Sequence, residues 1–589
     1  MRSVINKLPT LFNKKEKKKL LILFFMMIIA AIFETVGIGL IAPFIGIITN
    51  PEIIQNQAIL AYVYEFFNFQ NTNAFIILLV ALLLSVFIFK NLYLLLFNYL
   101  QVRVTTNQQV KLSRDLFQEY LTKPYTFHLQ RNTADLLRNV NNEVPRVFQG
   151  IVISGFQLLT EILVIICISV LLFVTAPIAM ITASILLGGS VFLFFKLQRN
   201  KIDQLGVEQQ KVSSAMIKWV NQGLGASKEV KVSGKEAFFI KSYKEQSQIN
   251  GNNIRYMKML EVIPRYFIET LIMAIVLIVM LIIILQGTNA TQLISTMALF
   301  AMAAIRLMPS INRVVALITT MRYSLPALNV VYEDLFMNKE ENSSLSENVV
   351  EVNKGEKAFN NSIQLNEISF RYPNQKEYAV QNISLTIPIS HSVAFIGESG
   401  AGKTTLVDII LGLFQPEKGS ITIDGENLND QKALWQQKIG YIPQTIFLSD
   451  DTIRGNVAFG MEANQIDDKE VWRALEQAQL KEFVEALPDQ LETSVGERGV
   501  RLSGGQRQRI GIARALYHNP EILFMDEATS ALDNETEKEI MKAIDGLKGE
   551  KTVIIIAHRL STIENCDVVF KISKGRLVSI ENKLEKSVM

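Results

Sequence analysis

Cysteine and histidine are scarce in this sequence, which has two cysteines and four histidines among 589 residues. Cys167 and Cys566 stand far apart, so they indicate neither a local metal site nor the disulfide framework of a small secreted domain. An excess of charge of one sign is also absent, because 59 basic and 56 acidic residues leave a net charge of +3. Nucleic acid is therefore not favoured as the main partner, since nucleic-acid-binding domains are typically strongly basic.

Charged residues of either sign make up only 20% of the chain, whereas hydrophobic residues make up 49%. This apolar content excludes an intrinsically disordered protein. The apolar residues are concentrated in long runs, each near or above the roughly 18–20 residues that a membrane-spanning helix needs. The six runs are residues 20–48, 74–100, 151–174, 178–195, 262–286 and 291–318. We therefore predict an all-α membrane domain of six helices.

The distribution of lysine and arginine orients these spans. Lysines cluster before the first run, and the long links 101–150 and 196–261 are rich in both residues, whereas the link 49–73 has neither. Because cytoplasmic loops carry an excess of Lys and Arg, the N-terminal segment and both long links are predicted to be cytoplasmic. An even number of spans then returns the chain to the cytoplasm.

The composition changes after the last apolar run. Residues 338–361 are polar and poor in aromatic residues, which is typical of a linker. From Ser362 onward, short apolar strands alternate with helical stretches and glycine-rich turns, a pattern typical of an α/β domain. The predicted organisation is a membrane domain over residues 1–337, a linker over 338–361 and an α/β domain over 362–589.

A glycine-rich phosphate-binding motif opens the α/β domain. Residues 397–404 match G-x-x-x-x-G-K-[ST] and stand between the apolar strand 393–396 and the helical stretch 405–410, as the motif requires. Glycines let successive backbone N–H groups point at phosphate oxygens, Lys403 would reach the β- and γ-phosphates, and Thr404 would bind Mg²⁺. The predicted phosphate-binding residues are Gly397, Ser399, Gly400, Gly402, Lys403, Thr404 and Thr405.

Two adjacent acids follow a second apolar strand of this domain. The strand 522–525 ends in Asp526 and Glu527. A carboxylate at a strand end beside a phosphate loop can bind Mg²⁺, which is the role predicted for Asp526. Glu527 can accept a proton from an attacking water, so we predict that it is catalytic.

The segment 502–506, Leu-Ser-Gly-Gly-Gln, resembles the signature of ATP-binding cassette (ABC) proteins. This resemblance implies that the signature contacts nucleotide. The residues concerned are Ser503, Gly504, Gly505 and Gln506. The sequence departs from the family at Ser390-His391, where a Gly-Glu turn is usual before the strand that precedes the phosphate loop.

Other cassette motifs occur in the family's order, and the resemblance covers about residues 362–580. Tyr372 resembles the aromatic residue that stacks on adenine. Gln444 resembles the Q-loop glutamine, which implies a role at both the nucleotide and Mg²⁺. Residues 530–533 resemble the D-loop, and His558 resembles the catalytic switch histidine.

Six spans followed by one cassette resemble a half-size ABC exporter of the bacterial type, with a type IV exporter-like membrane domain. The resemblance implies a homodimer, because in this family the phosphate loop of one cassette meets the signature of the other. It implies ATP and Mg²⁺ as cofactors, with hydrolysis coupled to transport by alternating access. The protein would be a multi-pass protein of the inner (cytoplasmic) membrane with its cassette in the cytoplasm. Segments near 124–131 and 231–240 resemble the coupling helices that dock on cassettes.

Ionisable residues inside the spans are candidates for a substrate site, because charges are costly in a membrane. Arg306 and Arg313 are seven residues apart, hence on nearly the same helix face, and no acid stands close to them in the sequence. Lys90 and Arg265 lie in other spans, where the alternatives are snorkelling for Lys90 and an i,i+4 pair with Glu269 for Arg265. A cationic cavity suits a phosphate- or diphosphate-bearing substrate, because the guanidinium fork matches phosphate oxygens.

The membrane domain also resembles, over short stretches, the lipid-linked oligosaccharide flippase of protein N-glycosylation systems. The stretches are 305–313, 262–266, Glu34-Thr35 and the outer segment 51–69, which would be that family's external helix. This implies ATP-driven flipping or export of a polyprenyl-diphosphate-linked glycan. The alternative is an exporter of peptides or hydrophobic drugs, which needs no basic cavity. Six spans disfavour a non-transporting cassette protein, and an importer is disfavoured because its spans and cassettes are usually separate chains.

Overall fold

The computed structural model divides the chain into two compact units. One unit is Met1–Lys123 with Arg131–Ser344, and the other is Pro124–Gln130 with Leu345–Met589. The structure describes all residues except 1–5, 41–43, 45, 49–53, 55–56, 67–68, 70, 176, 286–289, 337–358, 374, 527–533, 548, 558–562 and 584–589. The predicted linker thus lies almost entirely outside the described residues.

Six long helices form the first unit, and each overlaps one of the six apolar runs. They are α1 (Lys14–Gly39), α2 (Thr72–Thr122), α3 (Ser154–Thr175), α4 (Pro177–Gly225), α5 (Glu236–Leu285) and α6 (Ala290–Phe336). Among the described residues, four helical stretches have the length and apolar composition of a membrane span, namely Lys14–Gly37, Thr72–Thr122, Thr133–Val170 and Leu307–Phe336. The prediction of a helical membrane domain is confirmed.

The long helices continue well beyond their apolar parts. Helix α2 has 51 residues and α4 has 49, so each is roughly 75 Å long, compared with a hydrocarbon core of about 30 Å. Shorter helical elements stand between and before them. They are Leu8–Leu11, Ala58–Phe66, Thr133–Arg138, Val144–Val147 and Ser227–Ser233, together with the π-helical turns Asn139–Glu143 and Phe148–Ile153. The long helices therefore carry the apolar spans into the polar links 101–150 and 196–261.

A short helix, Tyr125–Gln130, belongs to the second unit although it follows α2 directly in the chain. The Tyr125 ring lies 5.8 Å, centroid to centroid, from the ring of Phe414. This packing is what a coupling helix requires, because such a helix must hold to a cassette while its flanking helices belong to the membrane domain. Its role in coupling stays a prediction.

The second unit is an α/β domain built on two sheets. The strands are β1 (Ser362–Phe370), β2 (Val380–Pro388), β3 (Ser392–Ile396), β4 (Lys418–Ile423), β5 (Glu426–Asn427), β6 (Ile439–Ile442), β7 (Ile522–Asp526), β8 (Thr552–Ile556), β9 (Val568–Ser573) and β10 (Arg576–Asn582). An antiparallel sheet has the order β2-β1-β4-β5, and a second sheet has the order β10-β9-β3-β8-β7-β6. Only β10 is antiparallel in the second sheet.

Helices of the second unit lie between these strands in the chain. The longer ones are α7 (Lys403–Ile410), α8 (Asp468–Gln477), α9 (Gly504–Leu516) and α10 (Asn534–Asp545). The shorter ones are Leu428–Gln431, Lys432–Gln437, Ile453–Val457, Lys481–Glu485, Gln490–Glu492 and Glu497–Gly499. The predicted alternation of strands and helices is confirmed.

The parallel sheet determines where the site lies. Strands β3, β7 and β8 are buried along nearly their whole length, as expected for strands covered on both faces. Strand β8 separates β3 from β7, and all three run in the same direction. The loop after β3 and the last residue of β7 therefore meet at the carboxyl edge of the sheet, where ligands bind in open α/β sheets.

The turn before β3, where the sequence departs from the ABC pattern, places a non-glycine residue in the left-handed region. Ser390 has φ = +61°, and its backbone N–H donates to Thr552 Oγ1 at 2.8 Å. A side chain costs about 1 kcal/mol in this region relative to glycine. The usual glycine of the family is thus explained by backbone geometry.

We predict that Ser390→Gly stabilises the domain by roughly 0.5–1 kcal/mol, because the strain is relieved while the backbone N–H of residue 390 still donates to Thr552 Oγ1. The melting temperature of the purified protein measures this. Ser392→Gly is the matched control, since Ser392 Oγ donates to Asp567 at 2.8 Å and its loss should lower the melting temperature. A lower melting temperature for both variants would contradict the strain argument.

Candidate functional site

The phosphate-binding motif forms a tightly packed loop between β3 and α7. Gly402 has φ = +98°, and a Cβ atom there would stand 2.5 Å from the carbonyl oxygen of Ala379. At Gly397 a Cβ atom would stand 2.1 Å from the carbonyl oxygen of Ile572. Both distances are impossible for a real side chain, so only glycine allows this backbone path. The loop therefore lines the site with its own main chain.

A cavity of about 420 Å³ lies over this loop. Its lining includes residues 399–405 and Tyr372. The structure thus brings the predicted phosphate-binding residues other than Gly397 and the predicted adenine-stacking residue into one cavity. A pocket of this volume accommodates a nucleotide-sized ligand.

Lys403 places its charge inside the loop. The residue is only 5% exposed, and its Nζ donates to the carbonyl oxygens of Gly397 (2.9 Å) and Glu398 (3.0 Å). The ammonium group therefore stands where the loop backbone converges, which fits the binding of a phosphate group. Thr404 is exposed on the first turn of α7, beside this charge.

Tyr372 is held in position by polar and aromatic contacts. Its hydroxyl shares a hydrogen bond of 2.9 Å with the hydroxyl of Thr405. Its ring meets the rings of Phe370 and Phe414 edge to face, at centroid distances of 5.3 and 5.6 Å. Burial raises the pKa of Tyr372. The aromatic wall of the cavity is therefore anchored directly to the residue that follows Thr404.

Sequence reasoning missed a second aromatic residue in this cavity, Tyr378. The Arg371 guanidinium lies 5.3 Å from the centre of the Tyr378 ring and pairs with Glu417 at 3.0 Å. Gln375 and Glu377 line the cavity as well. These residues belong to none of the motifs that the sequence displays.

The acid at the end of β7 has a neighbour that the sequence did not single out. Asp526 is 8% exposed. Asp408 of α7 lies close enough for its carboxyl to sense the Asp526 charge: burial, and after it the Asp526 charge, together raise the pKa of Asp408 to about 7. Two carboxyl groups near the phosphate loop can hold a divalent cation beside a phosphate.

Several predicted site residues cannot be placed. Glu527, His558 and residues 530–533 lie outside the described residues, so their roles stay predictions. Gln444 is described and stands exposed in the loop after β6.

The signature segment forms the start of α9. Ser503 is the N-cap: its Oγ accepts from the Gln506 backbone N–H at 3.2 Å, while Gln506 Oε1 accepts from the Ser503 N–H at 2.8 Å. Ser503 and Gly504 are exposed, and a Cβ atom at Gly504 would have no neighbour within 4 Å. The N-terminus of a 13-residue helix is thus open to solvent, and such an end favours anions.

In the membrane unit, Arg313 has a partner that its sequence neighbourhood does not contain. Its Nη1 lies 2.7 Å from Glu161 Oε1 on α3. The side chain of Glu161 is 7% exposed and that of Arg313 is 59% exposed. The second carboxylate oxygen of Glu161 has no hydrogen-bond partner among the described residues. The sequence shows no acid close to Arg313, and the fold supplies one from a distant helix.

The other candidate substrate residues differ in their surroundings. Lys90 is half-buried, with its Nζ 4.8 Å from the centre of the Phe87 ring. Arg265 is exposed, and no carboxylate of the described residues lies within ion-pairing distance of it, so the alternative pair with Glu269 is not formed. Arg306 lies in α6, but its side chain is outside the described part of the chain.

We predict that Asp408→Asn stabilises the protein more at pH 8 than at pH 4. The ordinary pKa of an aspartate is 3.8, and the pKa of Asp408 in the folded protein is about 7. The folded state therefore binds the carboxyl proton more tightly than the unfolded state does. The wild type therefore loses stability as the pH rises from about 4 to 7, whereas the Asn variant does not. At pH 8 the free energy of unfolding of the variant should exceed that of the wild type by more than about 1 kcal/mol.

Melting temperatures of nucleotide-free protein across this pH range measure the effect. Asp430→Asn, which changes an exposed aspartate of the same domain, is the control. A pH-independent difference between the Asp408 variant and the wild type would contradict the raised pKa.

Comparisons with known proteins agree with this architecture. The family model described as ABC transporter transmembrane region matches residues 20–308, and the model described as ABC transporter matches residues 380–530. An ATP-dependent lipid A-core flippase of Cupriavidus metallidurans is 31% identical over 504 residues, which cover 84% of this chain and 82% of that protein. A multidrug resistance ABC transporter ATP-binding and permease protein of Lactococcus lactis is 43% identical over 211 residues, 36% of this chain and 35% of that protein.

A solved structure shares the fold over nearly the whole chain. It is that of a bacterial Atm1-family ABC exporter with ATP bound, with a TM-score of 0.76, 21% identity, and coverage of 98% of this chain and 96% of that chain. Together with the family models and the flippase relative, this likeness identifies the architecture of a membrane domain and a cassette in one polypeptide. The chain therefore belongs to the ABC transporter family, as a half-size exporter whose cassette hydrolyses ATP and couples that hydrolysis to transport across a membrane.

Proposed function

We propose that this exporter flips or exports a lipid-linked oligosaccharide, a polyprenyl-diphosphate glycan, across the cytoplasmic membrane by alternating access. The observation that carries the proposal is the exposed guanidinium of Arg313 on a membrane helix. Glu161 holds one Nη1 at 2.7 Å, yet the arginine side chain remains 59% exposed. An arginine held at one edge still presents further N–H donors, which suit the oxygens of a diphosphate.

The spacing of Arg306 and Arg313 supports the same substrate class. Two positions seven residues apart on a helix lie on nearly one face and are separated by roughly 10 Å along the axis. A diphosphate with its first sugar presents acceptor oxygens over a comparable length. We include Lys90 and Arg265 in the proposed substrate path, because both are cations within the apolar helices α2 and α5.

We further propose that the protein works as a homodimer with two shared ATP sites. Each site would join the phosphate loop of one chain to Ser503–Gln506 of the other, which the exposed N-terminus of α9 supports. Mg²⁺ would be held by Thr404, Gln444 and Asp526, and it would neutralise phosphate charge when bound. Glu527 would take the proton of the attacking water, with His558 as its catalytic partner.

The proposed location is the inner membrane, with the cassette and the N-terminal segment in the cytoplasm. The supporting observation is the excess of Lys and Arg in the links 101–150 and 196–261. The proposed domain boundaries remain 1–337 for the membrane domain, 338–361 for the linker and 362–589 for the cassette.

The relatives widen the set of substrates to be tested. Those named lipid A-core flippases support flipping of a lipid as the kind of transport, and lipid A-core is one alternative substrate. A hydrophobic drug is another, because an apolar cavity of about 310 Å³ lies among α3, α4, α5 and α6 and a multidrug relative exists. Ile165, Leu187, Ile272 and Ile311 line that cavity.

We predict that Arg313→Ala and Arg306→Ala each lower the flipping of a fluorescent diphosphate-linked lipid glycan in proteoliposomes by roughly 10- to 100-fold, the loss expected for one charge-assisted contact. Basal ATPase activity should survive. Arg313→Lys should restore flipping only in part, because an ammonium cannot form the bidentate contact.

The variant Glu161→Gln distinguishes two roles of Arg313, namely binding of the substrate and an ion pair that only holds the helices together. If Arg313 binds phosphate, the Gln variant keeps most flipping activity, because the guanidinium remains. If the pair only holds α3 to α6, both Glu161→Gln and Arg313→Ala lower the melting temperature and ATPase activity together. Unchanged flipping without both arginines would favour a peptide or a hydrophobic drug, which needs no basic cavity and is assayed in the same vesicles.

We predict that Glu527→Gln lowers ATP hydrolysis at least 100-fold while nucleotide binding is retained, because the proton acceptor is lost and the phosphate loop is intact. Lys403→Ala should instead weaken nucleotide binding itself. Mixed dimers of Lys403→Ala and Ser503→Arg chains should regain at most one active site. Full hydrolysis by an isolated monomer would contradict the shared site.

A further inference from the structure

The N-terminal segment of the chain is attached to the helical unit at three places. Lys7 Nζ donates to Asn329 Oδ1 at 2.9 Å and lies 5.0 Å from the centre of the Tyr332 ring, both on α6. Phe12 is 6% exposed and packs edge to face against Phe148 at 6.1 Å. These contacts fix the chain directly before α1 begins.

The third attachment lies inside the first turn of α1. Glu16 is 9% exposed and pairs with Lys111 of α2 at 2.5 Å. Its other oxygen accepts the Asn13 N–H at 2.7 Å, which closes the start of the helix. The one acid of this turn is therefore used entirely by the protein itself.

The lysines on either side of Glu16 all point elsewhere. They are Lys14, Lys15, Lys17, Lys18 and Lys19, which we call the lysine collar, and every one of them is exposed. At 100° per residue they occupy an arc of roughly 200° on the side of α1 opposite Glu16. The burial of Glu16 thus sets which way the lysine collar faces.

The lysine collar forms no ion pair within the described part of the chain. No carboxylate of the described residues lies within 4.0 Å of any of its five ammonium groups, whereas the nearby Lys7 and Lys111 are both paired. The apolar part of α1 starts at Leu20, immediately after the collar. Five cations without an ion pair among the described residues therefore stand at the boundary between the apolar helix and its polar surroundings, and of these Lys19 also interacts with the Glu16 charge at longer range.

We propose that the lysine collar is a binding site for the headgroups of anionic phospholipids in the cytoplasmic leaflet. Polybasic segments directly beside a membrane helix attract anionic lipids, and the attraction falls off within a Debye length. Lysine is a flexible point charge, so the collar suits several mobile headgroups and not one shaped ligand. The proposal depends on the proposed orientation, with the start of α1 in the cytoplasm, but not on the transported substrate.

The three attachments distinguish this site from a run of lysines that serves topology alone. Orientation by positive charge requires only that the charges stay on one side, which an unattached tail achieves. Here contacts with α2, α6 and the turn that contains Phe148 fix the position and orientation of the lysine collar. Such fixing lowers the entropy lost when the lysines bind, which is the effect of preorganisation on affinity.

The experiment compares full-length dimers in mixed micelles that contain equal amounts of phosphatidylglycerol and phosphatidylcholine. Lipid retained by the protein is counted by native mass spectrometry at 50 and 500 mM salt. The wild type should retain phosphatidylglycerol several-fold over phosphatidylcholine at low salt, and less so at high salt. Replacement of all five collar lysines by Gln should abolish the preference, and replacement by Arg should keep it.

The control removes five exposed lysines that stand away from the apolar runs: Lys211, Lys241, Lys244, Lys418 and Lys469. This variant has the same change in net charge and should retain phosphatidylglycerol like the wild type. Two smaller variants, Lys14→Gln with Lys15→Gln and Lys18→Gln with Lys19→Gln, should each lose part of the preference, so the test does not depend on the fivefold variant folding.

Three results would overturn the proposal. One is an unchanged lipid preference in both the fivefold and the double Gln variants. Another is an equal loss in the control variant, which would assign the effect to net charge. The third is displacement of the lipid by millimolar inorganic phosphate, which would identify a site for free anions. None of these results bears on diphosphate-glycan flipping, which is measured separately.

Discussion

Close packing of the phosphate loop against two sheets is the constraint on which the cassette depends. The backbone of Ala379, next to β2, occupies the space beside Gly402, and the backbone of Ile572 in β9 occupies the space beside Gly397. The loop is therefore enclosed by the antiparallel sheet on one side and the parallel sheet on the other. A side chain at either glycine would push a sheet strand away from the loop. Because α7 starts inside this loop, the position of Lys403 and the shape of the nucleotide cavity follow from the same packing.

A different constraint acts on the membrane helices, where a charge is tolerated only with a partner or access to water. Glu161 is buried and has Arg313 as its ion-pair partner, while Arg313 keeps most of its side chain exposed. The pair is asymmetric. The buried carboxylate needs the arginine as its counter-charge, whereas the exposed guanidinium has further N–H groups that can donate to another group. Such an arrangement lets one residue stabilise the helices and still meet an anionic substrate. We therefore propose that the substrate phosphate binds at Arg313, with the half-buried Lys90 as a further cation of the substrate path.

Features carried by neighbouring residues were predicted well from the sequence. The six apolar runs, the alternation of strands and helices, and the motif at 397–404 depend on local spacing, which the sequence displays directly. Contacts made only by folding were not predicted. Glu161 is 152 residues from Arg313, and Asp408 senses Asp526 because two separate elements meet at one sheet edge. No pattern within a short window can show either pair, since each depends on which helices and strands become neighbours.

The charge balance of one cassette gives a physical reason for the shared ATP site. Among the described residues that line the cavity, Lys403 supplies the one buried ammonium, and the acids Asp408 and Asp526 lie near the same edge. A triphosphate carries several negative charges, so this site needs Mg²⁺ and further N–H donors to hold one firmly. The exposed N-terminus of α9, beginning at Ser503, presents such donors. It is not among the described residues that line the cavity of its own chain. A bound triphosphate would thus present unmatched acceptor oxygens at one surface of each chain, while the start of α9 presents unmatched N–H donors at another. On the proposed mechanism, nucleotide binding and the pairing of two cassettes are one event, and that event is what drives the membrane helices.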